Sequence, residues 1–247
     1  MTGDKQKRAA LVTFSYNSES VLVKNRFPSE LLLQSYAPIT PVPCCESICA
    51  HIAPDFFTLW EEYEKEVRHE TGIPYWAAVW PGAKSLARYL LSNKELVGGK
   101  KVLDFGSGSG VVSIASCQSG ASDVVANDID PVARFVASRN FSENNVSVRM
   151  TSDNMLTNNT DEHFDVILVC DMFYERSTAK PLHAFLKNCI SKGARVIIAD
   201  GTRPFTPRES LQSLYSEVIP VNHALEGMQE RTVTVFEMRK WHVTSDA

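Results

Sequence analysis

Between Lys100 and Asp200 the chain alternates apolar runs of strand length with segments of helical period. This alternation narrows the possible folds more than any other feature of the sequence. KKVLDF (100–105), DVVAND (123–128), VSVRM (146–150), FDVILVC (164–170) and GARVIIAD (193–200) read as strands. The segments after the first, second and fourth read as helices. One runs from Gly110 to Gln118. The next is capped by Asp130, has Pro131 at its first position and extends to about Asn144. TAKPLHAFLKNCI (178–190) follows, with Pro181 placed in its first turn. Strand–helix units joined by short connections predict a parallel sheet covered by helices on both faces. ESLQSLYSE (209–217) reads as a further helix and RTVTVFEMRK (231–240) as the last strand.

The first half carries fewer strands. WEEYEKEVRHE (60–70) predicts a helix with Trp60, Tyr63 and Val67 on one face. TGIPYWAAVWPG (71–82) breaks it with prolines and glycines and holds three large aromatics, and KSLARYLLSNKEL (84–96) resumes a helix. Residues 1–50, with the proline-rich YAPITPVPCC (36–45), read as an N-terminal extension, and residues 51–247 as the domain. At 247 residues, 44% apolar and 22% charged, the chain suits one sizeable α/β domain. A net charge of −4 offers no basic field for nucleic acid. No apolar run approaches the ~20 residues of a membrane helix. Cys44, Cys45 and Cys49 fit no common zinc spacing, the six histidines show no ligand pattern, and no metal site is expected. Free thiols in a reducing compartment are expected instead. The basic residues near the start, with AALVTF behind them, are too short for a secretory signal and leave an organellar presequence open.

VLDFGSGSG (102–110) joins a strand to a helix. Gly106 and Gly108 permit a sharp turn and a close ligand approach. A nicotinamide-type GxGxxG would need glycine where Val111 stands. Asp104, two residues before the first glycine, suits a ligand with an amino group, as S-adenosylmethionine has. Asp128 ends the next strand, 22 residues after Gly106, where its oxygens can accept both ribose hydroxyls. Asp153 and Asn154 follow the third strand, within reach of an adenine amine. CDMFYE (170–175) closes the fourth strand with Asp171, Phe173 and Tyr174. A carboxylate in an aromatic slot can hold a substrate amine, and strand capping with core rings is the plainer reading. Trp76 and Trp80 either flank the cofactor or cover the sheet edge. Asp200 and Arg203 end the fifth strand, on the substrate side.

PYWAAVWPG (74–82), SLARYLL, VLDFGSGSG, ANDIDP (126–131), DMFY (171–174) and ADGTRP (199–204), in that order, resemble the seven-β-strand S-adenosylmethionine-dependent methyltransferases. More narrowly they resemble the group that methylates lysines of the electron transfer flavoprotein β subunit, over roughly residues 46–238. The resemblance implies a Rossmann-like, seven-stranded, mostly parallel α/β sheet with the last strand antiparallel. It implies S-adenosyl-L-methionine as cofactor. Contacts to it would come from Asp104, Gly106, Ser107, Gly108 and Gly110, from Asp128 with Ile129, from Asp153 and Asn154, from Cys170 and from Trp80. Asp171, Phe173 and Tyr174 would be catalytic. The implied partner is a protein presenting lysines, met by a monomer in the cytoplasm or the mitochondrial matrix. Neither nucleic acid nor membrane is an expected partner. Three other readings share parts of the pattern: a small-molecule N-methyltransferase acting on a nicotinamide-like amine, a scaffold without catalysis, and a nicotinamide oxidoreductase.

Overall fold

The computed structural model describes residues 26–158 and 162–239. The basic segment considered as a presequence lies outside the described residues. In chain order come α1 (Glu30–Tyr36), a hairpin of β1 (Ile39–Val42) and β2 (Cys45–His51), α2 (Phe56–Val67) and α3 (Pro81–Ser92). The alternating half follows as β3 (Lys101–Phe105), α4 (Val111–Gln118), β4 (Asp123–Asn127), α5 (Pro131–Glu143), β5 (Arg149–Thr151), β6 (Val166–Cys170), α6 (Arg176–Ser191) and β7 (Arg195–Asp200). It closes with β8 (Leu211–Pro220), the short α7 (His223–Glu226) and β9 (Glu230–Met238).

Seven strands form one sheet in the order β5-β4-β3-β6-β7-β9-β8. The first five are mutually parallel, and β9 runs antiparallel between β7 and β8. The expected mostly parallel sheet with an antiparallel last strand is therefore present. Strand residues alternate between two cores. Val102, Val124, Leu168 and Ile197 face α3, α4 and α5, whereas Leu103, Val125, Ile167 and Ile198 face α6. Both faces are apolar because both are covered.

Three local expectations change. Residues 209–217 are not a helix: Leu211–Pro220 is the edge strand β8, paired with β9 from Leu211↔Met238 to Pro220↔Glu230. Its Leu, Gln, Ser and Glu content favours a helix locally, but β9 needs a partner along its second edge, and that long-range pairing prevails over propensity. Pro181 sits in the second turn of α6, because the helix begins at Arg176, two residues before the expected start. The strand expected at 146–150 is shorter and lies at Arg149–Thr151, an edge that among the described residues pairs with β4.

Residues 29–51 are joined closely to the rest. Leu32 and Leu33 pack with α2 and α5, and Val42, Cys45, Ile48 and Ala50 enter the core over α3 and α4. The buried Asn140 of α5 accepts from the His51 amide (2.9 Å) and donates to the Ser109 carbonyl (2.8 Å), which ties the hairpin to the glycine loop. On α2, Trp60, Tyr63 and Val67 are buried on one face as the spacing predicts.

Candidate active site

In a parallel sheet the connections leaving the carboxyl ends of the strands diverge where the strand order reverses, and the crevice between them receives ligands. Here the reversal lies between β3 and β6. The glycine loop leaves β3 at that point, and Asp171 leaves β6.

The loop from Gly106 to Gly110 turns through left-handed backbone at its three glycines (φ 68°, 51° and 78°). At Gly110 a Cβ would stand 2.5 Å from the Phe141 ring, so only glycine lets α5 pack there. At Gly108 a Cβ would meet nothing within 4 Å, so this part of the loop borders open space. Asp128 holds the loop from the tip of β4: one carboxylate oxygen accepts from the Gly108 amide (2.8 Å), the other from the Asp130 amide (2.9 Å). Burial raises the Asp128 carboxyl above its usual range. Ile129 beside it leaves 63% of its surface in water. The exposed Asp153 and Asn154 follow β5, and the buried Asn127 side chain fixes them by donating to the Asp153 carbonyl (2.9 Å).

Asp104 is buried under the loop, where its carboxylate accepts from the Ser113 hydroxyl (2.6 Å). Burial pushes its pKa up to about 7, against the pull of the Ser113 hydrogen bonds. A carboxyl raised in the folded state stabilises below its unfolded value near 3.9 and loses that contribution as pH rises towards the folded value. Wild-type protein without ligand is therefore expected to lose thermal stability between about pH 4 and pH 7 relative to Asp104→Asn. Parallel unfolding profiles of the two proteins across that window would exclude a raised Asp104.

At the tip of β6 the chain changes direction at Asp171, which adopts left-handed backbone (φ 52°) while its amide donates to the Ala199 carbonyl (3.0 Å). This conformation costs roughly 1–3 kcal/mol in a residue other than glycine. It aims the carboxylate inward. Oδ2 accepts from the Gly82 amide at the start of α3 (2.6 Å), and Oδ1 accepts from the Gly201 amide (3.0 Å) and from Arg203 Nε (2.8 Å). Arg203 continues to Glu226 of α7 (3.0 Å), and Glu226 to Arg231 of β9 (2.7 Å). Burial works against the Arg203 charge, yet Asp171 and Glu226 hold the guanidinium above its usual range. Asp200 lies beside this chain of charges, accepting from the Arg203 amide (2.8 Å) and the Thr206 hydroxyl (2.7 Å).

Gly82 has no room for a side chain. A Cβ would lie 2.6 Å from the Ala199 carbonyl oxygen and 2.7 Å from Asp171 Oδ2. Gly82→Ala should shift the start of α3, cost about 1–3 kcal/mol and displace the Asp171 carboxylate. Thermal unfolding unchanged from wild type would contradict that crowding.

Aromatic rings border the Asp171 side. Trp80 caps α3 and donates from Nε1 to the Tyr75 carbonyl (3.0 Å). Its ring lies 5.7 Å from Tyr75 and 5.8 Å from the Arg203 guanidinium, and Tyr75 lies 5.8 Å from Tyr174. Tyr174 is 38% exposed, and burial raises the phenol pKa of both tyrosines. Two expected aromatics are elsewhere. Phe173 is 0% exposed, in the core facing α6, so it lines no slot. Alternation after the left-handed turn sends it inward and Tyr174 outward. Trp76 is 1% exposed and packs edge-on against Tyr63 (6.2 Å), away from any cofactor surface. Tyr75 takes the place expected of them. It sat within the aromatic stretch noted in the sequence, but only the three-residue helical turn Tyr75–Ala77 decides which ring faces out. Met172 carries no such signal in the sequence, yet its sulfur lies 2.6 Å from where a Gly106 Cβ would be, so it covers the glycine loop. Cys170 ends β6 between the two halves of the site, its thiol pKa raised by burial. Among the described residues no group of three or more His, Cys, Asp or Glu side chains could hold a metal ion.

A family model described as ribosomal protein L11 methyltransferase (PrmA) matches residues 85–197. The electron transfer flavoprotein beta subunit lysine methyltransferase of Xenopus laevis is 37% identical over 174 residues, which cover 67% of this chain and 70% of the frog protein. The chain belongs to the electron transfer flavoprotein β-subunit lysine methyltransferase family. Members from Danio rerio and Rattus norvegicus are 46% and 43% identical, over 58% and 56% of this chain. The chain spans about half the length of these two relatives (56% and 55%). A solved structure of a candidate RNA methyltransferase from Pyrococcus horikoshii matches 65% of this chain and 83% of its own, with 17% identity and a TM-score of 0.50. At that identity it shows the shared fold alone. The family resemblance carried by PYWAAVWPG, ANDIDP, DMFY and ADGTRP thus agrees with family membership.

Proposed function

We propose that this chain transfers methyl groups from S-adenosylmethionine to lysine side chains of a protein, with the electron transfer flavoprotein β subunit as substrate. The observation that carries the reading is the placement of two half-sites at one switch point: an open glycine loop held by Asp128, and a buried Asp171 carboxylate beside an aromatic rim. The residues suit the cofactor. Asp128 keeps a second lone pair on each oxygen for ribose hydroxyls. The exposed Ile129 would gain from an apolar base laid on it, and Asp153 with Asn154 would meet that base's edge. We also assign Asp104, Ser107, Gly110 and Cys170 to the cofactor, and a carboxylate at Asp104 suits a cationic amine.

The cofactor supplies a methyl on a sulfonium, a leaving group that needs no acid. The protein's work is to present an uncharged amine. Deprotonating a lysine at neutral pH costs roughly 4 kcal/mol. Tyr75, Trp80 and Tyr174 would desolvate the entering side chain, which lowers that cost, and would attract the ammonium before it loses its proton. An ionised carboxylate has about four lone-pair positions, and Asp171 uses three, leaving one on Oδ2. That remaining position would orient the neutral amine. Phe173 contributes from the core by fixing the turn that carries Asp171 and Tyr174.

The domain reading of 51–247 with an extension at 1–50 and the monomeric state belong to this proposal, as does a compartment set by the substrate: cytoplasm, or mitochondrial matrix in a eukaryote. Incubating purified protein with radiolabelled S-adenosylmethionine and recombinant β subunit should label the β subunit on lysine. Label found only in added nicotinamide-like amines, with none on protein, would reject the reading.

A further inference from the structure

We infer that a cavity beside Trp80 is a docking pocket for an acidic side chain of the protein substrate, with Lys84 as its ion-pair partner; this rests on the protein-lysine reading above. The cavity lies between α3, the N-terminal hairpin and the β8–β9 connection. Its walls include Ile52, Val79, Trp80 and Leu225, with Lys84 and Glu226. Its volume of about 70 Å³ is several times the ~10–15 Å³ that one water requires, so a side-chain tip fits.

The charges select the occupant. Asp171 and Glu226 are matched by Arg203 and Arg231 in a closed network. Lys84 is left over: it is half-buried, and its amine makes no hydrogen bond or ion pair with any described residue. Burial holds its pKa below the ordinary lysine value, with Cys44 and Glu226 pulling the other way. A cation kept from full hydration and lined by apolar walls is completed by a carboxylate on a short methylene stem. A bare inorganic anion would strand those walls. Trp80 forms a wall of this cavity and also stacks on Arg203, so the docked acid would lie one side chain from the Asp171 site. Substrate choice then includes an Asp or Glu near the methylated lysine.

Steady-state transfer to recombinant β subunit reads the ion pair directly. Lys84→Glu is expected to raise KM for the β subunit about tenfold or more, with kcat and S-adenosylhomocysteine affinity within about twofold of wild type. Lys84→Met should raise KM less, and Lys84→Arg should stay near wild type. KM unchanged in both Lys84→Glu and Lys84→Met overturns the proposal. A second measurement needs no methyl transfer: the rate at which Lys84 is acetylated by an N-hydroxysuccinimide ester, followed by mass spectrometry. An acetylated tetraglutamate amide should slow it severalfold, and a tetralysine peptide should not. Equal protection by inorganic phosphate, or none by tetraglutamate, would overturn the assignment to an acidic side chain. Protection by tetraglutamate without labelling of the β subunit would keep the pocket and reject the flavoprotein substrate.

Discussion

Asp171→Asn is expected to fold, to bind S-adenosylhomocysteine with near wild-type affinity, and to lose about 10²–10³ in turnover. The carboxylate is held by the Gly82 and Gly201 amides and by Arg203, and its remaining acceptor position on Oδ2 is the one proposed for the substrate amine. An amide in its place has one oxygen. Either it turns an N–H towards the Gly82 amide, or it turns one towards the Gly201 amide and Arg203, and in both orientations the Arg203 ion pair is lost. Each choice costs about 1–3 kcal/mol and withdraws the negative charge that an ammonium would seek. Asp171→Ala goes further. It leaves two amides without an acceptor and one side of the Arg203 charge open, which predicts a loss of about 3–5 kcal/mol in stability. Thermal unfolding, calorimetric titration and radiometric transfer separate the two effects. Full turnover by folded Asp171→Asn would take Asp171 out of the mechanism.

Asp128→Ala should produce the complementary loss, in binding rather than in turnover. Asp128 holds the Gly108 and Asp130 amides, and two of its lone pairs are assigned to ribose hydroxyls. Hydrogen bonds to a charged acceptor contribute about 1.5–3 kcal/mol each, so losing one or two weakens the cofactor by about 10-fold to 10⁴-fold. kcat at saturating cofactor should fall much less, since Asp128 does not face the amine. Calorimetry with S-adenosylhomocysteine giving wild-type affinity in Asp128→Ala would refute the ribose assignment.

Much of the chemistry was visible in one dimension because its residues lie close together in the chain. A strand, a glycine turn and a helix start within VLDFGSGSG need no distant partner to be recognised. The Asp130–Pro131 helix start is equally local, and the structure keeps it, with Asp130 accepting from the Val132 amide. Asp128 and Asp171 could be placed at strand ends by counting, and strand ends of a parallel sheet meet at one edge.

Local pattern misled where a distant partner decides. Residues 209–217 carry helix-forming side chains, yet β9 draws them into a strand. The six strand-like runs read from the sequence fall one short of the seven that the resemblance implied, and Leu211–Pro220 is the missing one. DMFY looked like a pair of aromatics serving one slot. The left-handed turn at Asp171 splits them, sending Phe173 to the core and Tyr174 to the surface.

The sequence by itself determined the alternating α/β order, the glycine loop, the acids that end its strands and the family to which these belong. All of these are set by local backbone preference and short-range periodicity. Only the tertiary structure decided that Tyr75 borders the site in place of Phe173, that Arg203, Glu226 and Arg231 lock Asp171 from three separate segments, and that Lys84 makes no ion pair among the described residues. Those outcomes depend on which remote groups share one desolvated volume, and no spacing along the chain encodes that directly.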